Sequence, residues 1–264
     1  MNSAKYLNLL LLGGTAEAYD LADRLCPFDH LNIITSLAGR TKHPKHPSGY
    51  IRIGGFGGIA GLEQYLNHNK INLVIDATHP FATQIQLHIK IATQNLHIPL
   101  IRYQRQAWQA SLADQWIIVD DYQAAAEQLI LHKFKRVFLT IGSKNLKPFS
   151  NLKNVFFLVR VVNMPDNYAE IPNNFHFLCA KGPFQRQQEI DLLQTNKIDV
   201  IVSKNSGGIY TFAKIEAARS LHLPVVMVRS PDNDQLRLFQ TTTTLDGVLD
   251  WVKKQITILI KKSI

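Results

Sequence analysis

The chain has 264 residues, 46% of them apolar and 19% charged, enough for one large globular domain or two modest ones. Its two cysteines, Cys26 and Cys179, exclude a disulfide framework and suit a reducing compartment. Lys and Arg exceed Asp and Glu by nine, which favours anionic partners, but no block of five or six basic residues marks a nucleic-acid tract and a polyanionic small molecule accounts for the surplus equally well.

Only Lys5 precedes the first apolar strand and no small-residue cleavage site follows, so the expected localisation is cytoplasmic. No apolar run approaches the ~18 residues of a membrane span. Strands are expected near 7–12, 31–36, 50–54, 71–76 and 98–103, with helices near 16–26, 60–68 and 82–95. A second series follows, with strands near 116–119, 136–141, 155–161, 175–179, 198–203 and 224–228. Its helices fall near 122–132, 185–195, 210–221 and 245–258. The alternation predicts an α/β fold of two Rossmann-like domains with mostly parallel sheets and a cleft between them. The basic, mildly amphipathic end, "WVKKQITILIKKSI", reads as a terminal helix with a cationic tip rather than a membrane contact.

Residues 69–105 and 196–231 share a plan: Asn-Lys-Ile, an apolar strand, a polar loop, a helix, a Leu-His-x-Pro turn and another strand. Such self-similarity suggests two related halves. Strand patterning lapses over 106–115. The expected division is therefore 1–110, a nucleotide-binding domain, and 111–264, a second α/β domain facing the substrate.

The loops after the strands are where open parallel sheets place ligands. Gly13, Gly14 and Thr15 end the first strand, where glycine lets the backbone approach a pyrophosphate and the next helix N-terminus stabilises its charge. A bare βα turn would look the same. After the second strand, NAD-preferring folds usually place Asp or Glu. This chain has Ser36 and Arg40, a hydroxyl and a cation that suit the 2′-phosphate of NADPH, although Arg40 also reads as an ordinary surface cation. "RIGGFGG" puts Gly55, Phe56 and Gly57 in a nearly side-chain-free loop. In "DATHPFA", Thr78, His79 and Pro80 follow the fourth strand. Pro80 suits the first turn of the next helix, and His79 either donates a proton or only shapes the turn.

In the second half, Lys204, Asn205, Ser206, Gly207, Gly208, Thr211 and Lys214 gather donors and cations as an anion nest, and Lys181 with Phe184 adds a cationic corner. Tyr210-x-x-x-Lys214 matches the pair of short-chain dehydrogenases at low specificity. His43 and His46 have no obvious third ligand, so no metal site is expected.

Taken in order, "LLGGTAEA", "SLAGR", "GGFGG", "IDATHPFA", "GPF" followed by an acidic residue, and "SKNSGG" with its downstream "LPVVMV" resemble the precorrin-6A reductase family of corrin-ring biosynthesis, including the cobalt-precorrin-6A reductases. The resemblance runs from about residue 7 to 231. Lys181, where Arg often precedes Gly-Pro-Phe, and Ser203, where Thr is common, are its visible departures. It implies NADPH-dependent reduction of one double bond in a polycarboxylate tetrapyrrole. On that reading the residues of the first half named above hold NADPH, those of the second half hold the substrate, and His79 or water supplies a proton. Two other readings compete. One is a short-chain-type reductase of a small carbonyl compound using Tyr210 and Lys214. The other is an NADP-sensing binding protein without turnover.

Overall fold

The computed structural model describes residues 6–39, 47–166, 168–231 and 240–261. In chain order its elements begin with β1 (Leu7–Leu12), α1 (Ala16–Leu25), β2 (Leu31–Leu37), β3 (Tyr50–Ile53), α2 (Gly58–His68), β4 (Ile71–Asp76), α3 (Thr83–Asn95) and β5 (Leu100–Tyr103). Then come β6 (Trp116–Val119), α4 (Tyr122–Leu131), β7 (Arg136–Leu139), β8 (Phe156–Val161), β9 (Phe175–Cys179), α5 (Arg186–Thr195), β10 (Val200–Lys204), α6 (Ala213–Ser220) and β11 (Val225–Val228). The chain ends with β12 (Gln240–Thr242) and α7 (Leu245–Lys261). These elements form two compact units. The described residues up to Arg105, with those from Gln240 onward, make the first, and Gln106 to Pro231 make the second.

The first unit is a parallel sheet in the order β12-β5-β4-β1-β2-β3. The chain starts in the middle, winds out to β3 and returns beside β1 as β4. The reversal between β1 and β4 is a topological switch point, the place where such sheets bind ligands. β1 is apolar on both faces because both are covered. Leu7, Leu9 and Leu11 pack toward Ala18, Leu21, Ala22 and Leu25 of α1, whereas Leu10 and Leu12 pack toward Leu62 and Leu66 of α2 and Ile89 and Ala92 of α3.

The chain end corrects the expected division. The second unit begins at Gln106 rather than 111, and the tail assigned to it completes the first unit instead. Val248, Trp251 and Val252 of α7 join the α1 side of the core, and β12 pairs with β5. The Trp251 indole N–H donates to Gln240 Oε1 at 2.8 Å, tying α7 to β12. Burial of each large apolar side chain here contributes roughly 1.5–3 kcal/mol. β12 carries no apolar alternation, so the pattern did not announce it.

The second unit is also a parallel sheet, ordered β6-β11-β10-β7-β8-β9, with its reversal between β7 and β10. The repeated segments coincide in conformation as well as sequence. Asn69 and Asn196 each cap a helix and donate through Nδ2 to the carbonyl four residues back, and Lys70 and Lys197 follow in the left-handed region. His97 (φ 55°) and His222 (φ 54°) end α3 and α6 in the same way. In both, the next residue donates back across the turn, Ile98 to Thr93 and Leu223 to Ala218, satisfying helix carbonyls that would otherwise be orphaned. Two further boundaries shift. α3 starts at Thr83, so Pro80 sits in the preceding turn rather than in the helix, and α6 starts at Ala213 rather than 210.

Candidate functional site

At the first switch point Gly13 and Gly14 do different jobs. A Cβ on Gly13 would come within 3.2 Å of Ala18 Cβ and 3.3 Å of Thr35 Cγ2, so glycine there lets α1 start hard against β2. Gly14 has φ +99° and open space where its Cβ would stand, which leaves bare backbone facing outward. Thr15 caps α1: its Oγ1 accepts from Ala18 N at 3.2 Å and donates to Ala77 O at 2.9 Å. One hydroxyl thus joins the loops that follow β1 and β4. Glu17, in the first turn of α1, would repel an anion at this helix start, but the Arg105 guanidinium pairs with it.

Ser36 and Arg52 sit opposite each other at the ends of β2 and β3. The Arg52 guanidinium donates to Gly54 O and Gly55 O at 2.6 Å each and to Ser36 Oγ at 3.3 Å, and it lies 3.7 Å over the Phe56 ring. Sites for Cβ atoms on Gly54, Gly55 and Gly57 are open, and a Cβ on Gly61 would collide with the Phe56 carbonyl. The loop is bare on its outer side and closely packed on its inner side. Arg40, His43 and His46 lie outside the described residues.

Asp76, at the end of β4, is almost wholly buried. Its Oδ1 accepts from Thr78 N at 3.0 Å and Thr78 Oγ1 at 2.6 Å, while Oδ2 makes no hydrogen bond and lies 3.8 Å from Arg102 Nε. Desolvation raises the Asp76 pKa, opposed by the Arg102 charge and the Thr78 bonds. Gln86 Nε2 donates to Thr78 Oγ1 (3.2 Å) and His79 O (3.0 Å), binding this loop to α3. His79 is half-buried, and its Nδ1 accepts from Phe81 N at 3.2 Å. That fixes Nδ1 as an acceptor and leaves the ring proton on Nε2 in the neutral imidazole.

In the second unit, the predicted nest divides. Asn205 is spent on the main chain of Trp108, accepting from its N at 2.8 Å and donating to its O at 3.0 Å, while the Trp108 indole donates to Gly208 O at 2.8 Å. Ser206 is buried, and Gly207 and Gly208 both have positive φ. Lys214, expected among the substrate-binding cations of the nest, is buried: Nζ donates to Thr211 O at 2.7 Å and lies 4.9 Å from the Trp108 ring centre. Desolvation, with the nearby Arg160 charge, lowers its pKa to about 7 against the pull of Glu189. Tyr210 precedes α6 in a turn, so it shares no helix face with Lys214.

Arg160 and Glu189 form a buried two-pronged pair, Nη1 to Oε2 at 2.9 Å and Nη2 to Oε1 at 2.7 Å. Arg160 also stacks 4.0 Å from the centre of the Phe184 ring. Lys181 is exposed at the end of β9 and Lys204 half-buried at the end of β10. Their strands are separated by β8 and β7. At about 4.8 Å per strand, the two ends stand roughly 14 Å apart, a span suited to a wide ligand rather than one phosphate.

The model of the family Precorrin-6x reductase CbiJ/CobK matches residues 8–253. The chain belongs to that family. The precorrin-6A reductase of Rhodococcus erythropolis is 39% identical over 247 residues, covering 92% of this chain and 96% of its own. That of Mycobacterium tuberculosis is 42% identical over 226 residues, covering 84% and 88%. A solved structure titled CobK precorrin-6A reductase is similar at TM-score 0.86 and 38% identity, with 94% of this chain and 97% of that one covered.

Several side chains of this family member escaped the sequence reading. Arg52 was visible only as the start of a glycine loop, and its position against Ser36 depends on strand register. Arg102 and Arg160 look like ordinary strand residues, since nothing local reveals their carboxylate partners. Glu189 had a signal, the acidic residue after Gly-Pro-Phe, but no partner could be named for it.

Proposed function

We propose that the protein uses NADPH to reduce one double bond of precorrin-6A in cobalamin biosynthesis, and that it works in the cytoplasm. The observation that carries the cofactor half is the bare glycine backbone around the first switch point, joined to a β2 end that offers Ser36 and cations where an NAD site offers a carboxylate. Those residues fit a phosphorylated dinucleotide. Gly14 and the start of α1 offer backbone to the pyrophosphate, Thr15 holds the two loops in place, and the turn from Thr78 to Phe81 closes the switch point. Bound there, NADPH supplies a hydride to a carbon of the conjugated macrocycle.

The chain's own task is to orient the reactants and manage one proton. His79 is the side chain assigned to it: with Nδ1 accepting from Phe81 N, the neutral ring carries its proton on Nε2. The exposed Lys181 and the half-buried Lys204 receive substrate carboxylates, with Phe184 held flat by Arg160 beside the first. Lys214, donating to Thr211 O, braces the turn that leads into α6.

The test is a binding titration of NADPH against NADH on the intact chain, followed by turnover with precorrin-6A. A preference for NADPH, with oxidation of NADPH only when the tetrapyrrole is present, supports the reading. Binding without turnover favours the sensing alternative, and binding of neither cofactor removes the assignment.

A further inference from the structure

We infer that Arg52 is the residue that recognises the 2′-phosphate of the dinucleotide and so sets the preference for NADPH over NADH. The inference rests on the cofactor reading above and adds the specificity-determining residue to it.

Three observations carry it. The first is charge. Arg102, Arg105 and Arg160 are each matched by a carboxylate, from Asp76, Glu17 and Glu189 in turn. Arg52 is half-buried, yet among the described residues no carboxylate pairs with it; its polar partners are two carbonyls and one hydroxyl. A guanidinium stays charged in such surroundings, and carbonyl dipoles do not neutralise it. Among the described residues its charge is therefore unmatched, as a site for an anionic ligand group requires.

The second is geometry. Both Nη1 hydrogens are engaged, by Gly54 O and Ser36 Oγ, and one on Nη2 by Gly55 O. Nε–H and one Nη2–H are not engaged among the described residues, and donors on these two neighbouring nitrogens of a planar guanidinium suit the oxygens of a phosphate. The Phe56 ring 3.7 Å away fixes the plane of that group. The fork is therefore set before any ligand arrives.

The third is place. Arg52 pairs in register with Ser36 at the carboxyl end of β2, about 20 residues beyond the glycine turn. A Rossmann sheet meets the adenosine ribose at this point. An acidic side chain there accepts from both ribose hydroxyls and repels a 2′-phosphate. Ser36 does neither, and it hands the position to the cation on the neighbouring strand.

The experiment compares ADP-ribose with its 2′-phosphorylated form, a pair that differs only in the group to be recognised and undergoes no redox chemistry. Dissociation constants are measured by calorimetry on the intact chain, on Arg52→Met and on Ser36→Asp. In the wild type the phosphorylated form should bind about 100-fold more tightly. In Arg52→Met that preference should fall to within a few-fold, with ADP-ribose affinity little changed. Ser36→Asp keeps Arg52 and the loop but places a carboxylate against the guanidinium, so it should invert the preference.

Parallel loss of both ligands in Arg52→Met, with the preference intact in Ser36→Asp, would overturn the inference and leave Arg52 as a loop brace. A wild type that binds both forms equally overturns it too. If the wild type binds neither, the cofactor reading itself fails, and this inference with it.

Discussion

The two units share strand-helix-strand segments that match down to their left-handed lysines and histidines, yet they treat buried charge differently. In the first unit each buried carboxylate faces one arginine, Asp76 against Arg102 and Glu17 against Arg105. In the second, Glu189 faces both Arg160 and Lys214, so one cation is in excess and burial pushes the Lys214 proton off near neutral pH. A shared scaffold therefore leaves the electrostatics open. The first unit gives each buried carboxylate one guanidinium, and the second sets one carboxylate between two cations, of which Lys214 has its pKa lowered to about 7.

The sharpest way to break that contrast is Glu189→Ala. It strands Arg160 and Lys214 together without a counter-ion, and removing one partner of a buried pair costs about 3–5 kcal/mol. Asp76→Asn in the first unit leaves Arg102 without its carboxylate, but that contact is 3.8 Å long and the amide still accepts from Thr78, so the cost should stand at the low end of that range, about 3 kcal/mol. Urea denaturation of both variants measures the difference. Equal losses would show that the second unit's charges are no more strained than the first's.

The excess cation also has a pH signature. Folded Lys214 loses its proton near pH 7, whereas in the unfolded chain a lysine holds it to about pH 10.4. Between those values the unfolded state binds the additional proton, so this residue makes stability rise with pH by up to ~1.4 kcal/mol per unit. Below pH 7 both states are protonated and the contribution is flat. Lys214→Met should remove the slope between pH 7 and 10, and a variant curve parallel to wild type would mean that the folded chain keeps Lys214 charged.

The contrast marks how far local sequence reaches. The parallel architecture and the glycine turns were legible because periodicity and φ > 0 demands are local. Even the repeat could be read, since its turn residues recur at fixed offsets. What escaped depends on residues distant in the chain. Lys214 reads as a substrate-binding cation until Trp108, more than a hundred positions earlier, covers it. Asn205 reads as a ligand donor until the same tryptophan claims its amide. The terminal helix could be placed on either unit from its own amphipathic stripe, and only the face of β5 beside α1 decides where it packs.

At the loop after β4 the contrast concerns chemistry. His79 shapes its turn by accepting from Phe81 N, whereas Asn205 secures its counterpart after β10 with an amide that has no proton to give. His79→Asn keeps an acceptor near the position of Nδ1 and removes the donor nitrogen. If His79 delivers the proton, turnover should fall about 10-fold or more while NADPH affinity holds, and His79→Ala should lose affinity as well. Turnover by His79→Asn close to wild type would leave the residue a turn former and assign the proton to water.

The smallest effect compares two threonines across the two switch points. Thr15 Oγ1 donates to Ala77 O and accepts from Ala18 N, so Thr15→Val removes a helix cap and an inter-loop bond together. Loss of such a cap costs about 1–2 kcal/mol. In the second unit Thr140 Oγ1 donates to Val202 O at 3.1 Å, but Thr140 N already donates to the same carbonyl at 3.0 Å. The hydroxyl is redundant there, so Thr140→Val should cost about 0.5 kcal/mol or less. Thermal melts of the two variants set the order. If Thr140→Val proves the costlier, the second switch point depends on its hydroxyl in spite of the backbone bond, and the first is held chiefly by how closely α1 packs on Gly13.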